Sequence, residues 1–171
     1  MAMFLMGTFA TTINANEPTQ MDNMHASLQA EEYDNGRFLE KKNHNGKTYI
    51  LGKSTSYNKA GEANGGRMLW PNAVYDIKSK MIGGTYHVTV HYRVDEDMVP
   101  NNPTIHIGMD LLEPVEVALN NENKLINTAK ATFKVKVLGG KTHSVKLWLG
   151  SEGILVDKVE VRKAIFSKKE D

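Results

Sequence analysis

Three aromatic residues, two acids and one carboxamide are the side chains best suited to chemistry at a ligand. Trp70 stands just before Pro71-Asn72, at a strand end, and Tyr57 lies in a long loop. Trp148 follows the alternating Val145, Leu147 and is followed by Leu149, so it shares the opposite face with Lys146. An aromatic face accepts the axial C–H groups of a pyranose ring, while polar neighbours orient its hydroxyls. Core packing is an equal use for Trp70, and cover by the N-terminal segment or a loop is the other use for Trp148. Asp157 interrupts an apolar run, Ile154-Leu155-Val156, before Lys158-Val159. A half-buried acid wants a partner, which a metal ion or a lysine such as Lys158 supplies. Gln29 and Glu31 lie two apart on a strand and point to one side.

Other titratable residues offer less. His87 and His91 share a strand face, but four positions separate them by roughly 13 Å, too far for one metal ion. They read as solvent-facing. Lys134, Lys136 and Lys146 alternate with apolar residues and read as a solvated face that discourages edge pairing. No nucleophile elbow, phosphate loop or HExxH motif is present. No catalytic residue is assigned, and an enzyme is not expected. With no cysteine in the chain, disulfides, thiolate metal sites and cysteine nucleophiles are excluded. The net charge of +1 offers no large overall field for nucleic acid or anionic lipid.

The elements that must carry these residues are strands. Thr85–Val94 alternates Tyr86, Val88, Val90, Tyr92 and Val94 with polar residues, the period of an antiparallel strand wet on one side. The pattern recurs at 104–109, 132–138 and 144–149, and less regularly at 154–161. Gly and Asn clusters separate the runs. This predicts an all-β, two-sheet antiparallel sandwich with close termini. Residues 121–130 have room for one short helical turn at most. The stretch from Asn43 to Gly66 reads as loop-rich, either a binding loop or a plain connection.

The 171 residues suit one domain. Residues 1–15 resemble a signal-peptide end at Ala15, with a disordered tag or small core helix as the other reading. Their apolar run is far shorter than the about 20 residues a membrane helix needs. Residues 16–26 lack an apolar period and read as a flexible leader. The expected division is a leader over 1–27, the sandwich over 28–165 and a charged tail over 166–171. The chain is expected to be exported, to the medium, the periplasm or the cell surface.

Four blocks together resemble the carbohydrate-binding modules of families 6 and 35, which are galactose-binding-domain-like β-jelly rolls. They are LQAEEYDNG (28–36), EANGGRMLW (62–70), AVYDIKSKMIGGTYHVTVHYRV (73–94) and GGKTHSVKLWLGSEGILVDKVEVRK (139–163). The resemblance implies a structural calcium ion held by Gln29, Glu31 and Asp157, an oxygen donor set of the kind calcium takes. It also implies a sugar site, on the loops at one end of the sandwich or on the concave sheet face. Trp70, Tyr57 and Trp148 are the candidates to line it. Two departures bear on the loop-end site. Leu155 stands where the family often has an asparagine that contacts ligand hydroxyls, and LINTAKA (125–131) lacks the family's second aromatic. The expected function is non-catalytic binding of a polysaccharide or oligosaccharide, alongside a partner enzyme or a cell surface. The alternative is an extracellular protein–protein or structural module on the same fold.

Overall fold

The computed structural model describes residues 19–21, 25–52, 70–79, 83–122, 126–136 and 142–164. Tyr57, the signal-like segment 1–15 and the tail 166–171 lie outside them.

The described chain forms twelve strands and no helix. In order they are β1 (Thr19–Met21), β2 (His25–Gln29), β3 (Asn35–Gly36), β4 (Leu39–His44), β5 (Lys47–Gly52) and β6 (Ala73–Ser79). Then follow β7 (Gly84–Val94), β8 (Thr104–Met109), β9 (Val115–Ala118), β10 (Asn127–Val135), β11 (Thr142–Leu149) and β12 (Ile154–Lys163). One six-stranded sheet runs β1-β6-β11-β8-β9, with β3 also on β6. The other runs β10-β7-β12-β5-β4, with β2 also on β12. The fold is the expected all-β two-sheet sandwich. Antiparallel pairing dominates, and β1 alongside β6 is parallel.

The core follows from period two. On β7, Tyr86, Val88, Val90, Tyr92 and Val94 are all 2% exposed or less. They meet Val145, Leu147 and Leu149 of β11 and Tyr75 and Ile77 of β6 in one apolar cluster. Two tyrosines bring a polar tip with them. Tyr75 Oη donates to the Ala30 carbonyl at 2.8 Å, tying one sheet to the corner after β2 in the other. Tyr92 Oη donates to the Asn120 carbonyl and accepts from the Asn120 N–H. Burial pushes the Tyr75 hydroxyl pKa well up, so it remains a donor.

Three expectations are corrected. The loop-rich stretch begins with a tight hairpin, because Asn45 and Gly46 both take positive φ, as a two-residue primed turn requires; it joins β4 to β5. The segment read as a possible helical turn enters β10 at Asn127, with Ala129 and Ala131 facing inward. The presumed leader over 16–26 contributes β1 and the start of β2, so the sandwich begins before Leu28. β2 lies against β12, with His25 opposite Arg162, which brings the two ends of the sandwich together.

Candidate functional site

Trp70 and Trp148 line one cleft on the outer face of the first sheet. The cleft measures about 460 Å³. Its floor is Val74, Lys146 and Trp148, from β6 and β11. Asn35, Arg37, Trp70 and Pro71 form one wall, and Asp110, Leu111, Leu112 and Pro114 form the other. Trp148 is 5% exposed, and its six-membered ring lies over Gly108 of β8. A Cβ at Gly108 would meet Trp148 Cζ3 at 2.8 Å, so this glycine makes room for the ring. The Trp148 indole Nε1 is buried with no hydrogen-bond partner.

Trp70, by contrast, is 60% exposed. The Arg37 guanidinium stacks over its ring at 4.5 Å, a cation–π arrangement. Asn72 holds this pair in place. Its N–H donates to the Leu147 carbonyl, and its carbonyl accepts from the Arg37 N–H. Its side-chain oxygen accepts from the Leu149 N–H at 2.8 Å, and its Nδ2 donates to the Arg37 carbonyl. The amide is 1% exposed and pins the β3–β4 corner to β11. Arg37 and Asn72 were not among the sequence candidates. The Pro71-Asn72 turn was the available signal, since a buried amide after a proline has backbone groups to satisfy.

On the opposite wall, the Asp110 carboxylate accepts from the Ser144 N–H at 2.9 Å and lies 2.6 Å from His143 Nδ1. The Lys146 ammonium donates to the Asp110 carbonyl. The loop end looks different. Loops 95–103 and 150–153 and the described residues 119–122 and 126 contain no aromatic residue and present Met98, Val99 and Ile126, each at least half exposed. Leu155, 1% exposed, offers no hydroxyl contact there.

Gln29, Glu31 and Asp157 belong to a second place, where the backbone leaving β2 lies against β12. Asp157 sits in a β-bulge between Val156 and Lys158. There the neighbour of β12 changes from β5, at Val156–Ile50, to β2, at Lys158–Gln29. The Ala30 N–H donates to the Asp157 carbonyl at 2.9 Å, so Gln29 and Glu31 flank the residue bonded to the bulge. Glu31 Oε2 is buried without a hydrogen-bond partner. The Asp157 carboxylate is 3.1 Å from Lys47 Nζ, not from Lys158, which pairs with Glu160. No cluster of three or more His, Asp or Glu side chains placed for a metal ion occurs among the described residues; this group holds two acids and an amide. His87 bonds Thr132 and His91 faces Glu160, so neither joins a metal cluster. No helix among the described residues is long and apolar enough to cross a membrane.

No family model and no curated protein matches the sequence. Solved structures do match the fold. The C-terminal CBM6 of a marine laminarinase from Zobellia galactanivorans is similar with a TM-score of 0.50 and 12% identity, over 81% of this chain and 99% of that one. The GH26-CBM35 β-(1,4)-mannanase of Podospora anserina gives 0.58 and 10%, over 88% of this chain and 30% of that one. A Cry toxin tryptic core variant from Bacillus thuringiensis gives 0.60 and 7%, over 87% and 25%. Catalytic and toxin chains thus match over a minor part of their length, whereas the laminarinase module is covered whole. The chain has the two-sheet fold of the family 6 and family 35 carbohydrate-binding modules.

Proposed function

We propose that this chain binds a glycan without chemistry, in the cleft between Trp70 and Trp148. The observation that carries the reading is an exposed tryptophan, braced by Arg37, on the rim of a cleft with a second tryptophan in its floor. Trp70 offers a ring face to sugar C–H groups. Asn35, Arg37 and Lys146 offer donors to hydroxyls, and Asn35 also an acceptor. A module of this kind raises the local concentration of a partner enzyme or cell surface at its substrate, and such a role belongs outside the cell. The test is a glycan array with the intact chain, followed by titration of the best ligand into Trp70→Ala. Binding that the variant loses supports the cleft. Binding untouched by the variant removes it.

The junction of β2, β5 and β12 is the proposed calcium site. An orphaned Glu31 oxygen and a bulged Asp157 paired with an exposed lysine, Lys47, form a donor set that fits a hard ion. Gln29 would add a carboxamide oxygen. The ion would join β12 to the corner after β2 and stay clear of the cleft chemistry.

One observation favours a protein-binding module instead. Leu111 is 98% exposed, with Leu112 and Val115 also uncovered beside it. An array without a hit, together with a protein partner lost on Leu111→Ser, would select that reading.

A further inference from the structure

A second hollow adjoins the cleft. It measures about 520 Å³ and includes Lys134, Lys136 and His143. The two share Asp110, Leu111, Leu112 and Lys146, so they meet along that ridge. Together they are lined by four cations, Arg37, Lys134, Lys136 and Lys146, and one acid, Asp110. The chain as a whole has 21 Lys and Arg against 20 Asp and Glu, so composition does not explain the imbalance. Ordinary protein surfaces intersperse the two signs.

The single acid is also occupied. One carboxylate oxygen of Asp110 accepts a backbone N–H and the other faces the His143 ring. None of the four cations has a carboxylate partner among the described residues. Lys146 donates to the Asp110 carbonyl and feels the nearby Asp76 carboxylate through space, without an ion pair to either acid. A neutral glycan needs donors and acceptors in mixture, not four cations. Carboxylate and sulfate groups accept charge-assisted hydrogen bonds, and the Arg fork meets them in pairs.

We infer that the ligand is an anionic polysaccharide, carrying carboxylate or sulfate groups, that stacks on Trp70 in the first hollow and extends past Leu111-Leu112 to Lys134 and Lys136 in the second. This rests on the cleft being the glycan site. A single-stranded nucleic acid fits less well, because successive bases ask for several aromatic platforms along a basic track, and the second hollow has none among the described residues.

The test titrates polygalacturonate, dextran sulfate, neutral dextran and an oligothymidylate into the intact chain and its variants. Binding to either acidic glycan over dextran supports the inference, and which of the two binds separates carboxylate from sulfate recognition. In the double variant Lys134→Gln/Lys136→Gln that affinity falls about tenfold, roughly 0.7 kcal/mol for each charge removed. Lys130→Gln, on the same strand but outside both hollows, changes it less than about twofold. Dextran bound as tightly as the acidic polymers, or an acidic-glycan affinity indifferent to the double variant, overturns the inference; loss of that binding in Trp70→Ala then still upholds the glycan site. Oligothymidylate bound as well as the acidic glycans overturns it too. Acidic-glycan binding that survives Trp70→Ala, whatever the lysines do, removes the cleft reading and this inference with it.

Discussion

The sheet-face cleft and the loop end of the sandwich are built from contrasting materials. The cleft combines a braced exposed indole, a buried indole and several cations. The loop end presents Met98, Val99 and Ile126, with a buried leucine, Leu155, at the position where the resemblance implies an asparagine. Both regions hang on the same strands and are equally compatible with the likeness to known modules. The difference teaches that a shared fold does not fix the location of a site. That location is decided by a few side chains and the backbone that aims them. Asn72 makes this concrete, since one buried amide holds Arg37, in the β3–β4 corner, beside Trp70, just ahead of β6.

The largest expected effect is at the cleft floor. Trp148→Ala removes a buried indole and leaves a cavity over Gly108, costing about 3–5 kcal/mol, whereas Ile126→Ala at the loop end stays within about 0.5 kcal/mol. Urea unfolding of both variants measures the contrast. Equal losses would mean that the two regions do not differ as described.

Removal of calcium should have the second-largest effect. Calcium held only by the folded chain stabilises it by about 2.7 kcal/mol at about 100 times its dissociation constant. Melting of calcium-loaded protein should therefore shift down on chelation. Asp157→Ala should abolish the shift, and magnesium should replace calcium poorly. A loaded protein whose melting ignores the chelator has no such site.

Asn72→Ala leaves the Leu149 N–H buried and unpaired, at a cost of about 1–3 kcal/mol. It should also weaken glycan binding, because Arg37 loses its anchor. Calorimetry and titration on this variant separate the two effects. Unchanged affinity would show that Asn72 supports the fold alone.

The smallest effect is in pH dependence. Burial holds the His106 pKa below its ordinary value, opposed in part by Glu116. The folded state therefore disfavours its protonation. Its contribution is intact above about 6.5 and is lost as pH falls through the folded value. Asp95 and Glu160 are lowered chiefly by hydrogen bonds from Lys42 and Lys158, so a further loss follows below the ordinary carboxylate range. Asp76, raised chiefly by burial, acts the other way. Denaturation midpoints at stepped pH should decline in two stages, and His106→Gln should remove the first. A midpoint that rises between pH 7 and pH 5.5 contradicts the assignment.

Much of this was readable from residues alone. The alternation in β7 and β11 placed the sandwich and its core, and the outward face of Trp148 followed from the same period. Asp157 stood out as an acid inside an apolar run, and the structure puts a bulge there. The hairpin at Asn45-Gly46 was readable but lay inside a stretch dominated by polar residues. The first half of β10 was hidden because Ala129 and Ala131 carry little hydrophobic signal, while the alternation from Thr132 onward marked its second half. β1 gives no period in three residues, and its strand depends on β6 across the chain. The Arg37–Trp70 stack was not legible at all. It joins residues far apart in sequence through the contacts of Asn72, and no local pattern encodes that.

The most direct measurement is calorimetric titration of the best glycan into the wild-type chain, Trp70→Ala and Ile126→Ala. The account predicts that Trp70→Ala lowers affinity by at least about thirtyfold, as losing a hot-spot aromatic worth about 2 kcal/mol or more does, with melting unchanged because the indole is exposed. Ile126→Ala should bind as the wild type does. Full affinity in Trp70→Ala, with loss in Ile126→Ala, would contradict the account and return the site to the loop end.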